Sequence, residues 1–131
     1  MLAAHGTMRA RNCLLRLAWT TKVADNAKWY ANQRRKGCHL IYSTGDYGEN
    51  IIWGRGKRWK GTDAVTDWAD HEVYYDYERY TCMPNQDCLH YMQLVCSTRR
   101  VRCARVKCAN RNTYVVCEYD PHGYVIGQRR Y

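Results

Sequence analysis

Phenylalanine is absent from the 131 residues, although tyrosine occurs twelve times and tryptophan five. An aromatic core built this way must find partners for phenolic hydroxyls as well as pack rings. The chain also lacks any apolar run of about eighteen residues, the length a membrane-spanning helix needs. The stretch Met1 to His5 is too short for a secretory signal, so the sequence reads as a mature chain. No Cys-x-x-Cys pair occurs, and Cys82 and Cys88 are too far apart for the usual zinc-binding spacing; Cys103 and Cys108 fit it only loosely. No G-x-S-x-G motif marks a serine nucleophile. No recognition helix or RNA-binding signature organises the basic clusters, so no specific nucleic-acid partner is expected.

What is present points to one exported domain spanning residues 1–131. Eight cysteines (Cys13, Cys38, Cys82, Cys88, Cys96, Cys103, Cys108 and Cys117) are too many for a reduced cytosolic chain of this size without metal. Disulfides are the better reading, and they require an oxidising compartment. Lysine and arginine exceed aspartate and glutamate by 21 to 12, a net charge of +9 that draws the protein toward anionic surfaces. For most individual cations a solvated surface role suffices.

Helical periodicity predicts a short helix over Leu2 to Arg11 and a longer one over Thr21 to Lys36, ended by Gly37. Five glycines between Gly45 and Gly61, with Trp53 and Trp59, read as a long ordered loop. A third helix is expected from Thr62 or Asp63, either of which can cap it, to about Tyr75. Strands are expected over His90 to Cys96, Val101 to Lys107 and Tyr114 to Tyr119, with a turn at Asn110 to Asn112. Helices first and strands later suggest an α+β domain with helices packed on one sheet.

The segment Tyr47-Gly48-Glu49-Asn50-Ile51 resembles a motif of the CAP superfamily, in particular its plant pathogenesis-related class one branch. Supporting pieces run along nearly the whole chain: His5 with Arg9, Tyr30-Ala31, Cys38-His39-Leu40-Ile41, Trp68 with Tyr75, Cys88-Leu89-His90-Tyr91-Met92-Gln93, and Cys117-Glu118-Tyr119-Asp120-Pro121. The resemblance implies a three-layer α-β-α sandwich with a central antiparallel sheet. It also implies the bridges Cys38–Cys108, Cys82–Cys88 and Cys103–Cys117, a choice the spacing alone does not make among 105 pairings. Cys13 and Cys96 are left over; they pair with each other, stay free or link two chains.

Family members hold two histidines and two glutamates around a central cleft, and some bind zinc there. Glu49 and His90 match one of each, whereas Tyr42 stands at the other histidine position and His71 at the other glutamate position. Glu72 and His39 are the neighbours able to compensate. A zinc site from Glu49, His71 and His90 is one reading, and a hydrogen-bonded polar cluster is the other. A neutral tyrosine is a poor zinc ligand at neutral pH. The implied function is plant defence: a secreted protein of the apoplast or vacuole, monomeric, acting on fungi or oomycetes by binding sterol or another lipid, and needing no cofactor. Ile51, Ile52, Trp53 and Trp59 are candidates for lining a lipid site, with core packing as their plainer role. Two alternatives remain open, a precursor releasing the peptide Pro121 to Tyr131 after Asp120 and a metal-dependent hydrolase. At the peptide junction Glu118, Tyr124 and Arg130 depart from the family pattern.

Overall fold

The structure, a computed structural model, describes residues 1–12, 14–55 and 59–123, with the backbone alone at 22–24. Cys13, left open above, and the tail from residue 124 lie outside the described residues. Helix α1 (Leu2–Arg11) forms as expected and turns His5, Met8 and Arg9 inward at helical spacing. Helix α2 (Thr21–Gln33) stops short of Lys36, because the chain tightens through turns there and Cys38 takes a left-handed φ of 55° at its bridge. Ala27, Tyr30 and Ala31 form its buried stripe.

Three expectations are corrected. The glycine-rich stretch contains strand β2 (Gly48–Gly54), because strand β6 (Thr113–Asp120) supplies a partner for every residue, from Gly48 opposite Tyr119 to Gly54 opposite Thr113. Gly54 is needed there for close approach: a Cβ would meet the Trp59 indole at 1.8 Å. Helix α3 (Gly61–Asp70) is capped at Lys60, not at Thr62 or Asp63; the Asp63 carboxylate instead accepts the Lys60 N–H at 2.8 Å. It gives way to a 3₁₀ turn over His71–Tyr74 before Tyr75. The expected strand at His90 is helix α4 (Leu89–Leu94), with Tyr91, Met92, Gln93 and Leu94 all buried. A short apolar run fits a buried strand or helix equally.

Strands β1 (Ala18–Trp19), β5 (Arg100–Lys107), β6 and β2 form the main sheet in the order β1-β5-β6-β2. The short β1 runs parallel to β5 and the remaining pairs are antiparallel. A separate two-stranded ladder joins β3 (Tyr75–Asp76) to β4 (Thr81–Cys82).

Strand β6 explains the layering. Its side chains alternate between faces, and both faces are covered. Val115, Cys117 and Tyr119 join Met8, Val65, Trp68 and Leu94 beneath α1, α3 and α4. Tyr114 and Val116 join Tyr30, Ala31, Ile51 and Val106 beneath α2. The expected α-β-α sandwich is thus present, with one helix on one face and three on the other. Cys38–Cys108, Cys82–Cys88 and Cys103–Cys117 are all bridged. The first closes a separation of 70 residues, which contributes about 4 kcal/mol in the chain-entropy account. Cys96 keeps a buried free thiol. Arg9 is buried at the same end, and its guanidinium donates to the carbonyls of Leu15, Leu94, Cys96 and Thr98.

Candidate functional site

Helix α4 and strand β2 bring their polar residues to one cleft of about 280 Å³. On α4, His90 and Gln93 are one turn apart and face the cleft together. On β2, successive residues point to opposite faces, so Glu49 goes toward α2 while Asn50 goes beneath α4. Both border the cleft because it opens at the strand's end. Tyr42, Ser43 and Tyr47 close one side, and His122 another.

His90 is the hub. Its Nε2 meets the Tyr42 hydroxyl at 3.3 Å, its ring stacks on Trp68 with centroids 6.3 Å apart, and His71 approaches edge-on at 5.3 Å. Burial lowers its pKa below the ordinary imidazole value, because desolvation disfavours the charged ring. Asn50 Nδ2 donates to the His90 carbonyl at 3.0 Å and fixes α4 against the sheet. Glu49 accepts the Ser43 N–H at 2.8 Å through Oε1, while Oε2 is buried without a partner. Desolvation raises its pKa, since burial disfavours the charged form.

The substitutions at the other two positions are not repaired by neighbours. Glu72 turns to a different cluster, accepting from the Tyr91 hydroxyl at 3.0 Å and from Tyr77. His39 is exposed and lies over Gly37 rather than reaching inward. His71 sits behind His90 on the 3₁₀ turn, outside the cleft lining. The donor atoms of Glu49, His71 and His90 do not gather within 4.8 Å of one another; among the described residues the one such group is His5, Cys103 and Cys117, whose cysteines are bridged. These residues therefore do not fit a three-donor zinc centre, and the one His90 nitrogen that faces Tyr42, Nε2, is engaged by its hydroxyl.

The four lipid candidates do not line one site. Ile51 is packed in the core under α2, and Ile52 lies on the opposite face against the other core. Trp53 is partly exposed. Trp59 covers Gly54 and borders a hollow of about 310 Å³ with Asp63, Asp67 and Asp70, an acidic setting unsuited to an apolar ligand. The exposed apolar residue on the cleft wall is Leu89, and Leu40 and Ile41, also exposed, precede the lining residue Tyr42 in the chain. All three lie inside family-like segments of the sequence, which carry no sign of exposed apolar surface. Asn50 and Gln93 were missed in the same way, although both lie inside quoted motifs. The tail junction is held down: Asp120 pairs with Arg100 at 3.0 Å, and the Pro121 carbonyl accepts the Thr98 hydroxyl at 3.0 Å. The peptide beyond lies outside the described residues from 124 onward.

The profile of the cysteine-rich secretory protein family, CAP, matches residues 2–119. Pathogenesis-related protein PR-1 of Medicago truncatula is 44% identical over 132 aligned positions, covering 99% of this chain and 76% of that protein. Pathogenesis-related protein 1B of Nicotiana tabacum is 44% identical over 131 positions, covering 99% and 78%. Among solved structures, Schistosoma mansoni venom allergen-like protein 4 superimposes with a TM-score of 0.76 at 26% identity, covering 99% of this chain and 90% of its own. The structure of NaASP2 with Zn²⁺ has a TM-score of 0.77 at 21% identity, covering 99% and 82%, a likeness of fold alone.

Proposed function

Given that the chain belongs to the cysteine-rich secretory protein family, CAP, we propose that it is a secreted plant defence protein that binds a sterol or related lipid and catalyses no reaction. The relatives carry pathogenesis-related names, and three disulfides suit an oxidising extracellular space. Among the described residues no helix is long and apolar enough to cross a membrane.

The observation that carries the ligand class is the pairing of a small polar cleft with an exposed apolar approach. At about 280 Å³ the cleft lies near the lower end of small-molecule sites, about 300–1,000 Å³. It suits a ligand's polar end better than a whole sterol. Gln93 Oε1 and Glu49 Oε2 are buried without partners and are available to a hydroxyl, while Leu40, Ile41 and Leu89 offer apolar surface to the hydrocarbon body. Hydrolysis has less support. Glu49 and His90 are not hydrogen-bonded to each other; each is engaged by Ser43 or Tyr42 instead, so no base is oriented for proton transfer. This reading needs no metal.

Titration of labelled sterol against the oxidised protein tests it. Saturable binding that Leu89→Ser and Ile41→Ser each weaken by about tenfold is expected from the loss of one buried aliphatic side chain. Saturable binding unaffected by both substitutions would remove the cleft from the account, and no binding would remove the lipid.

A further inference from the structure

The charges of this protein are segregated along its sequence. No aspartate or glutamate occurs before Asp25, and none between Asp87 and Glu118. The fold packs these two acid-free segments together at one end, where Ala18 N–H donates to the Arg99 carbonyl and the Arg9 guanidinium bridges the loop at Leu15 to the turn at Thr98. The nearby acid Asp120 is already paired with Arg100, and Glu118 is buried under α2. Arg11, Arg16 and Arg99 are exposed and form no ion pair among the described residues.

At the centre of this basic end stands Leu15, which is 87% exposed. It is held there. Leu14 N–H donates to the Arg9 carbonyl at 2.9 Å, Arg9 Nε donates to the Leu15 carbonyl at 2.7 Å, and Leu17 is buried just beyond. A fixed aliphatic tip costs solvation and contributes nothing to the core. Leu15 borders one apolar hollow of about 550 Å³ with Leu14, Arg16 and Arg99, and Arg16 also borders a second, of about 960 Å³, along α1 with Leu2, Ala10 and Leu17. Trp19, also exposed, carries the Arg102 guanidinium over its ring at 4.3 Å.

We infer that this end of the molecule docks on an anionic phospholipid bilayer, with Leu15 entering the headgroup–acyl boundary and Arg11, Arg16 and Arg99 facing the lipid phosphates. Arginines without an ion pair among the described residues, beside an apolar tip, complement a surface that is negative outside and apolar within. An acidic polysaccharide would satisfy the arginines and leave Leu15 in water. The surface is separate from the cleft, and its action does not depend on a sterol ligand.

Co-sedimentation with sterol-free vesicles tests the inference apart from the cleft. Binding is expected to phosphatidylcholine vesicles containing phosphatidylglycerol and not to phosphatidylcholine alone. Leu15→Ser should weaken it about tenfold, and Arg16→Gln and Arg99→Gln about fivefold each. Val73→Ser removes another exposed aliphatic side chain, 67% exposed, from the 3₁₀ turn after α3 and should change nothing. Unchanged melting temperatures establish that the variants fold. Equal binding by wild type and Leu15→Ser would overturn the inference in favour of charge adsorption. Binding to soluble polygalacturonate but not to vesicles would assign the face to polysaccharide. A dimer dispersed by Leu15→Ser in sedimentation would assign it to a second copy.

Discussion

Replacing Glu118 by glutamine is expected to stabilise the protein in mildly alkaline solution and to leave it nearly unchanged in mild acid. Glu118 is fully buried between β6 and α2, with Oε1 accepting from Asn26 at 2.8 Å and Oε2 without a partner. Desolvation, opposed by the Asn26 hydrogen bond and aided by Glu49 on the neighbouring strand, pushes its pKa from 4.5 up to about 7. The folded state then binds more protons than the unfolded state between these two values, so this residue makes stability fall as pH rises through that window. At about 1.4 kcal/mol per pKa unit, the ionised carboxylate costs the fold up to about 3 kcal/mol at about pH 8, and about 2 kcal/mol of that arises above about pH 5. Glutamine keeps an oxygen for Asn26 and cannot ionise. The melting temperature of Glu118→Gln should therefore exceed that of the wild type by about 10 °C at about pH 8 and by about 3 °C or less at about pH 5. His5 acts oppositely, because burial lowers its pKa to about 4 and the fold loses stability as pH falls below the ordinary histidine value. That contribution is common to both proteins and cancels in their difference. Thermal unfolding at the two pH values measures the effect; a gap independent of pH would refute a buried carboxylate titrating near neutrality.

Arg9→Met should cost more than about 3 kcal/mol in denaturant unfolding, because it leaves buried carbonyls of Leu94, Cys96 and Thr98 without donors. Arg9→Lys should recover less than half of that, since a point charge cannot fork to four acceptors; a loss under about 1 kcal/mol in the methionine variant would contradict the structural role. In calorimetry, Tyr42→His should confer zinc binding that a chelator reverses, because it sets a second imidazole beside His90 Nε2, whereas the wild type should show no saturable heat. Saturable zinc binding by the wild type would contradict the geometry of the donors.

Local signals made α1, β5 and β6 legible. Helix α1 turns His5, Met8 and Arg9 inward at helical spacing, and β5, rich in valine and arginine, and β6, rich in valine and tyrosine, are separated by the turn at Asn110 to Asn112. The same signals failed at β2 and α4. The strand contains glycines because Trp59 and Gln93 occupy the space a Cβ would take, a reason residing in residues distant in sequence. The helix is only six residues long and buries four in a row, Tyr91 to Leu94, so its sequence carries too little polar face to disclose a period. At the site, motif likeness singled out Glu49 and His90, and the structure brings both to one cleft. Glu72 was expected to stand in at the position of His71, but the hydroxyls of Tyr77 and Tyr91 claim its carboxylate.

By itself the sequence determined the class of the protein: its cysteine content pointed to disulfides, its motif order placed it among the CAP proteins, and its charge was fixed at +9. Tertiary structure alone decided the destination of each polar group. Whether a histidine meets a metal, a tyrosine or another histidine depends on distances of a few ångströms between strands and helices, and pairing across the sheet sets those distances. The same holds for charge, since two acid-free segments, far apart in the chain, become one basic face only when β1 aligns beside β5.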